Sequence, residues 1–238
     1  MEDLPDQLIW EILRRIWSTV DQNAASLVCK RLYRADNEQR CSLRFGCRLD
    51  PANEALSTLC ARFPNLAKIK KTYAGWMSKL GKQLDDHGLF ILSEFCPSLT
   101  DLTLSYCTFF TDVGLRCLTS CSKLSSLKLN FAPRITGCGI LSLVTGCKNL
   151  TVLHLIRCLN VCSFEHIGKY GKIEDLGIRN CRSIGEGDLA KLGASWRKLK
   201  RLQFKLDSNY RYMKANDCSA VDRWQTHHIS CNNTWCIA

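Results

Sequence analysis

Cysteine and histidine concentrate near the end of the chain, where they could hold a zinc ion. Both residue types bind zinc, through a thiolate sulfur or an imidazole nitrogen. The spacing does not match known zinc sites, because the segment has no C-x-x-C pair and its two histidines are adjacent instead of about three to five residues apart. We therefore predict no metal or other cofactor for this set, which consists of Cys218, His227, His228, Cys231 and Cys236.

The sequence contains no set of residues that is typical of an enzyme. No phosphate-binding loop, G-x-S-x-G or H-E-x-x-H pattern occurs in it. Gly137 and Gly139 form a G-x-G, but they stand in the same repeat register as Asp112 and Gly114 and so belong to the start of a repeated helix. We predict that the chain has no catalytic activity of its own.

A third set of residues could bind an acidic or phosphorylated partner if the segments that carry them are strands. Alternate residues of a strand share one face, so His154 between Leu153 and Leu155 should be exposed opposite the leucines. Neighbouring segments carry cations or hydrogen-bond donors at the same parity, and such groups can hold carboxylate or phosphate. The alternative is a solvated strand face without a partner. The candidates are Lys128, Asn130, His154, Arg179, Gln203 and Lys205.

The segments that carry these candidates belong to an internal repeat. Leucine or another apolar residue recurs as L-x-x-L-x-L at intervals of 25, 26, 23 and 26 residues. This period is typical of leucine-rich repeats, whose strand-plus-helix units bury their apolar faces by stacking. Thr111 and Asp112 are good N-cap residues for the helical part of a unit. We predict an α/β solenoid, a horseshoe of about six repeats, whose registers begin at Leu66, Leu99, Leu124, Leu150, Ile173 and Leu199.

Many of the 16 cysteines follow this repeat. Three of them precede the first leucine of a unit, and three follow its third apolar residue. Position in the repeat explains them better than pairing does, so we predict small, buried and reduced side chains in a reducing compartment. The recurring residues are Cys96, Cys121 and Cys147, and Cys107, Cys158 and Cys181.

The first 48 residues have a different pattern, which predicts three short helices. Apolar residues recur at helical spacing after Pro5, which suits a first helical turn. Asp21 or Asn23 would cap the second helix, and the third would end near Glu38–Arg40. The apolar residues nearly surround the first helix, as expected of a surface that binds a partner.

The stretches LPDQLIWEILRRI, SLVCKRLYR and RCSLRF resemble the F-box motif. With the cysteine-containing repeats that follow, residues 3–206 resemble the plant F-box/LRR family, whose members are substrate receptors of SCF-type ubiquitin ligases. The resemblance implies an F-box that binds a Skp-type adaptor, and through it the cullin and RING subunits, and repeats that bind a target for proteasomal degradation. Leu32 stands where many members carry tryptophan, and we expect adaptor binding to survive. The implied adaptor contacts are Leu4, Pro5, Leu8, Ile12 and Val28.

These patterns predict an F-box at 1–48, repeats at 49–206 and a poorly ordered tail at 207–238. The tail loses the repeat and looks like a truncated or alternatively spliced terminus. The connection from Thr72 to Gln83 carries Tyr73 and Trp76, which could contact a partner or pack against a neighbouring repeat.

Charge and hydropathy restrict the functional classes further. The net charge of +11 lies mainly on residues 96–206, which hold 16 basic and 7 acidic residues, and this favours an acidic partner. With no signal peptide and no run of about 18 apolar residues, we expect a cytoplasmic or nuclear protein. An interaction scaffold without a ligase role, a dominant-negative truncated receptor and a nucleic-acid binder stay open, although the last lacks interleaved aromatic and basic residues.

Overall fold

The computed structural model describes residues 4–16, 18–46, 52–72, 84–161, 164, 169–181 and 198–205, together with the backbone of 228–231 and 234–237. At residues 204 and 205 it describes the backbone alone. The predicted contact loop with Tyr73 and Trp76, and Cys218 and His227 of the tail, lie outside this part of the chain.

Three helices form the N-terminal unit, as the sequence predicts: α1 (Asp6–Arg15), α2 (Thr19–Ser26) and α3 (Lys30–Gln39). The prediction that Asp21 or Asn23 caps α2 is wrong, because α2 begins earlier and the Ser18 hydroxyl accepts a hydrogen bond from the Asp21 amide. A serine hydroxyl satisfies the free amides of a first turn as well as a carboxylate does. The small apolar core consists of Ile9, Leu13, Leu32 and Ala35.

Strands and helices then alternate along the chain, which confirms the predicted α/β solenoid. The elements are β1 (Ser42–Phe45), α4 (Ala52–Arg62), β2 (Lys68–Lys71), α5 (Asp86–Phe95), β3 (Asp101–Ser105), α6 (Asp112–Cys117), β4 (Ser126–Asn130), α7 (Gly137–Gly146), β5 (Val152–Ile156), β6 (Asp175–Arg179) and β7 (Arg201–Lys205). All neighbouring strands from β1 to β7 pair in parallel, in the order of the sequence. One sheet therefore runs through all the repeats.

The leucines of the repeat form the core because the strands alternate. Leu102 and Leu104 of β3 are fully buried, and they lie opposite Leu127 and Leu129 of β4 in the sheet register. The same register continues from strand to strand, so each repeat covers the apolar face of the one before it. This packing leaves the intervening strand residues on the other face of the sheet.

The sheet begins earlier than the sequence analysis places it. Strand β1 lies before residue 48 and pairs with β2, with Leu43 opposite Ile69. Helix α4 lies between β1 and β2, and Leu66 and Ile69 are buried as the first register requires. The N-terminal unit thus leads into the sheet without an intervening linker between α3 and β1.

Polar residues at the start of each repeat helix join neighbouring repeats. The Thr136 hydroxyl caps its own helix by accepting a bond from the Cys138 amide. Asp112 of the preceding repeat accepts bonds from the Thr136 amide at 2.8 Å and from its hydroxyl at 2.6 Å. One repeat earlier, Asp86 accepts the same two bonds from Thr111. The N-cap threonine was predicted, whereas the aspartate contact to the next repeat was not.

The recurring cysteines are buried free thiols, as predicted from their repeat position. Cys96, Cys121 and Cys147 have exposures of 0 to 3%. Burial, with a smaller contribution from the neighbouring thiol, raises the pKa of Cys121 to about 11 and that of Cys147 to about 12. These thiols are therefore protonated, and unreactive, near neutral pH.

Two short strands of the tail were not anticipated by the sequence analysis. β8 (His228–Cys231) and β9 (Thr234–Ile237) pair antiparallel, and β9 also pairs antiparallel with β7. The rest of 206–238 is outside the described residues, so disorder of the tail stays a prediction. None of the described helices has the length and apolar character needed to span a membrane.

Candidate protein-binding surfaces

The N-terminal helices expose large apolar residues beside the residues of their core. Ile9 and Leu13 of α1 are 2% and 4% exposed, whereas Leu8 and Ile12 are 51% and 52% exposed. Val28, between α2 and α3, is 63% exposed. A patch of large apolar side chains on so small a unit is typical of a binding surface.

Two further exposed apolar residues of the helical unit were missed by the sequence analysis. Val20 is 75% exposed and Leu27 is 81% exposed. Both lie on or beside α2, which is too short to show a clear apolar face by periodicity. The sequence did offer one indication for Leu27, because this residue directly precedes Val28, which was predicted to contact the adaptor. We name the exposed residues Leu8, Ile12, Val20, Leu27 and Val28 the helical patch.

The remaining predicted contacts lie beside the helical patch. Leu4 is partly buried against the helical core, and the carbonyl of the exposed Pro5 accepts bonds from the Leu8 and Ile9 amides. Leu32, which stands at the family's tryptophan position, is 8% exposed and lies within the core. Leucine in place of tryptophan therefore affects the packing of the helical core more than it affects the helical patch.

The second surface is the face of the sheet opposite the leucines, which we call the strand face. Its predicted residues fall into two rows that cross the strands in register. Lys128, His154, Gly177 and Gln203 form one row; Asn130, Ile156, Arg179 and Lys205 form the other. The predicted alignment is therefore confirmed, while binding by these residues stays a prediction.

The prediction that His154 is exposed on this face is wrong. Its side chain is 15% exposed, and Nε2 lies 3.1 Å from Oδ1 of Asp175 on the next strand. The other oxygen of Asp175 lies 3.1 Å from Nη1 of Arg201, one strand further on. His154 is mostly covered because its ring contacts Asp175 on the neighbouring strand. Alternation along one strand cannot predict such a contact between strands.

The strand face carries more positive charge than the sequence analysis recognised. It has seven basic and two acidic residues, which give a net charge of +5 with histidine neutral. Three of the basic residues lie on β1 and β2, which lack the complete leucine pattern. The basic residues are Arg44, Lys68, Lys70, Lys128, Arg179, Arg201 and Lys205, and the acidic ones are Asp101 and Asp175.

A buried charged cluster joins the helical unit to the first repeat. Asp36 of α3 and Arg40, which follows the last residue of that helix, form an ion pair at 2.9 Å, and both side chains are 5% exposed. Arg62 of α4 approaches the same carboxylate at 3.6 Å and donates to Asn37 Oδ1 at 2.8 Å. Both guanidinium groups also lie over the ring of Phe63. We call Asp36, Arg40, Arg62 and Phe63 the joint.

Comparisons with known proteins agree with the division of the chain into an N-terminal helical unit and a series of repeats. Residues 1–42 match the family model described as F-box. F-box/LRR-repeat protein 12 of Arabidopsis thaliana is 28% identical over 156 residues, which are 65% of this chain and 34% of that protein. F-box/LRR-repeat protein 4 of Bos taurus is 28% identical over 124 residues, which are 50% of this chain and 20% of that protein.

A solved structure of internalin C2 from Listeria monocytogenes is similar over 83% of this chain and 85% of that chain, with 18% identity and a TM-score of 0.46. The chain spans about a third or less of the length of the two curated relatives.

Proposed function

We propose that this chain, which joins an F-box to leucine-rich repeats as the F-box/LRR-repeat proteins do, is a substrate-recognition subunit of an SCF-type ubiquitin ligase. The match of residues 1–42 to the F-box is the observation that carries the proposal. The F-box binds a Skp-type adaptor, and through it the cullin and RING subunits. The strand face binds the target protein, which is then ubiquitinated and degraded by the proteasome in the cytoplasm or nucleus.

The helical patch supports the adaptor part of this proposal. Residues of such a patch gain free energy by leaving water, at about 25 cal/mol per Å² of apolar area buried. The core residues Ile9 and Leu13 hold α1 in place, so its exposed side chains reach an adaptor from a fixed backbone. Interface energy usually concentrates in a few such central side chains.

The charge of the strand face supports the choice of an acidic or phosphorylated target. A net charge of +5 on one side of the sheet attracts an acidic segment and increases its rate of association. In this role the chain contributes no catalytic group. It raises the local concentration of target lysines near a ubiquitin-conjugating enzyme, and the rate of transfer increases because the reactants are held together.

Binding of a purified Skp-type adaptor tests the proposal most directly. The unaltered chain should bind the adaptor at micromolar concentration or tighter. The double variant Leu8→Asp, Val28→Asp should lose at least about 100-fold in affinity, because two carboxylates would be buried without partners. Isothermal titration calorimetry measures the difference.

Val113→Asp provides the matched control for that experiment. Val113 lies on α6 and is 52% exposed, so the substitution places one such carboxylate, half of the charge added by the double variant, at an apolar site outside the helical patch. Its affinity for the adaptor should equal that of the unaltered chain. If the unaltered chain fails to bind the adaptor, the ligase role is refuted and a leucine-rich-repeat scaffold becomes the better description.

A further inference from the structure

One row of the strand face is interrupted by a glycine. Gly177 stands between His154 and Gln203 in the register, where the other strands carry a side chain. The missing side chain leaves a depression of about 70 Å³, which opens to solvent and is lined by His154, Ile156, Gly177, Arg179 and Gln203. We call this depression the notch.

The geometry around Gly177 requires that residue to be glycine. A Cβ atom placed there would lie 2.8 Å from Cδ2 and 2.9 Å from Cγ of the His154 ring. The ring is held in that position by the contact with Asp175, described above. A larger residue would therefore both fill the notch and displace the histidine.

Arg179 supplies the charge at the edge of the notch. Its guanidinium donates to Gln203 Oε1, and it is exposed to solvent. No carboxylate among the described residues lies within 4.0 Å of its nitrogens, and Asp175, at the other end of the same strand, is paired with His154 and Arg201. The remaining donors of a guanidinium suit two parallel bonds to a carboxylate.

Ile156 supplies an apolar wall beside that charge. A ligand that satisfies both needs a short aliphatic stem that ends in a single negative charge. A phosphate fits less well, because its second charge would face only one arginine. Aspartate has one methylene fewer, so it covers less of Ile156 when its carboxylate reaches Arg179.

We propose that the notch binds one glutamate side chain of the target, with the carboxylate on Arg179 and the methylenes on Ile156. This inference rests on the proposed function, since it specifies the target segment that the strand face recognises. In this proposal Gly177 leaves room for the glutamate side chain because it has no side chain of its own, and His154 and Gln203 form the sides of the notch.

Nuclear magnetic resonance titration of the purified full chain tests this proposal. The probes are four capped pentapeptides, in which the middle residue between pairs of alanines is glutamate, aspartate, glutamine or phosphoserine. The glutamate peptide should shift the Gly177 amide and the Arg179 Nε–H signals and saturate them. Affinity should fall several-fold for aspartate and at least about tenfold for glutamine, which lacks the charge. Equal binding of glutamine, or tighter binding of phosphoserine, would overturn the proposal.

Arg179→Gln and Arg157→Gln form a matched pair of variants. Both remove one positive charge from an exposed arginine, but Arg157 does not line the notch. Arg179→Gln should weaken the glutamate peptide at least about tenfold, and Arg157→Gln less than about twofold. Equal losses would mean that the general field of the face, and not the notch, binds the peptide. Gly177→Ala should also abolish the signal shifts, and the Arg179 pair keeps the test valid if that variant fails to fold.

The peptide titration is independent of the adaptor experiment. The F-box takes no part in it, so failure of the notch leaves the receptor role standing. Conversely, a chain that ignores the adaptor could still bind the glutamate peptide as a scaffold.

Discussion

Aspartate and glycine recur at the start of the repeat helices because each contacts the neighbouring repeat. A Cβ atom at Gly139 would lie 2.2 Å from Oδ1 of Asp112, the same oxygen that accepts the Thr136 amide bond. A Cβ at Gly114 would lie 2.4 Å from Oδ1 of Asp86 in the same way. The glycine thus makes room for the carboxylate that joins the two repeats.

Gly139→Ala should destabilise the chain although it introduces a better helix former. The gain in helix propensity is at most about 1 kcal/mol. Against it stand overpacking of about 1–3 kcal/mol and weakening of charged hydrogen bonds worth about 1.5–3 kcal/mol each. We expect a net loss of about 1–3 kcal/mol in the free energy of unfolding, measured by urea denaturation.

Cys138→Ala is the control for this substitution. Cys138 is the preceding residue of α7 and is exposed, so alanine there changes helix propensity without a clash. Its free energy of unfolding should stay within about 0.5 kcal/mol of the unaltered chain. A stabilising effect of Gly139→Ala would show that Asp112 moves aside without cost.

At the scale of elements, the strands serve two purposes through their alternation. One face of β3 to β6 holds the leucine core, and the other face carries mainly polar residues. Parallel pairing places equivalent residues about 4.8 Å apart on successive strands. Single cations from separate repeats therefore combine into one charged surface.

Reversal of three of these charges tests the strand face as a whole. Lys128→Glu, Arg179→Glu and Lys205→Glu together change its net charge from +5 to −1. A fluorescent deca-glutamate peptide should bind the unaltered chain with an affinity that falls as salt is added. The triple variant should lose that binding by at least about tenfold in fluorescence anisotropy.

The same change in net charge elsewhere separates local from overall electrostatics. Lys123, Lys148 and Lys198 are exposed and lie in turns before strands, so their replacement by glutamate leaves the strand face unchanged. This control variant should retain most of the binding. Equal loss in both variants would count against a dedicated face, and tighter binding of a single-stranded oligonucleotide than of deca-glutamate would favour nucleic acid as the partner.

At the scale of the whole molecule, the joint makes the helical unit a continuation of the solenoid. Strand β1 extends the sheet, and Asp36 of the helical unit is paired with arginines from two elements. The helical patch and the strand face are therefore held at a defined position relative to each other. A fixed separation between adaptor and target suits a receptor that acts by positioning.

Asp36→Ala should destabilise both parts of the chain together. Removal of one member of a buried ion pair leaves an uncompensated charge and costs about 3–5 kcal/mol. Arg40 and Arg62 would both lose their carboxylate. We expect a single unfolding transition, followed by circular dichroism in urea, at a clearly lower midpoint.

Asp6→Ala is the matched control for the joint. Asp6 pairs with Arg31 within the helical unit, but their side chains are 61% and 37% exposed. An exposed pair contributes about 0–1 kcal/mol, so the midpoint should change little. If Asp36→Ala cost no more than Asp6→Ala, or if the helical unit unfolded separately, the joint would not couple the two parts.

Much of this architecture could be predicted from the sequence, because it depends on local periodicity. The repeat of Leu102 and Leu104, the extent of α4 and the burial of Cys121 follow from alternation, helical spacing and repeat position. The two rows of the strand face follow as well, once each strand is aligned by its leucines. β1 was missed because its four residues carry only part of the leucine pattern.

The contacts between repeats depended on the tertiary structure. His154 meets Asp175, 21 residues away, and Asp36 meets Arg62, 26 residues away, because stacking sets those distances and the local sequence does not. The space at Gly177 exists only because the neighbouring strands carry side chains beside it. The sequence by itself determined which residues are buried in each unit; the register between units decided which of the others meet, since side chains of different repeats become neighbours only after the sheet has formed.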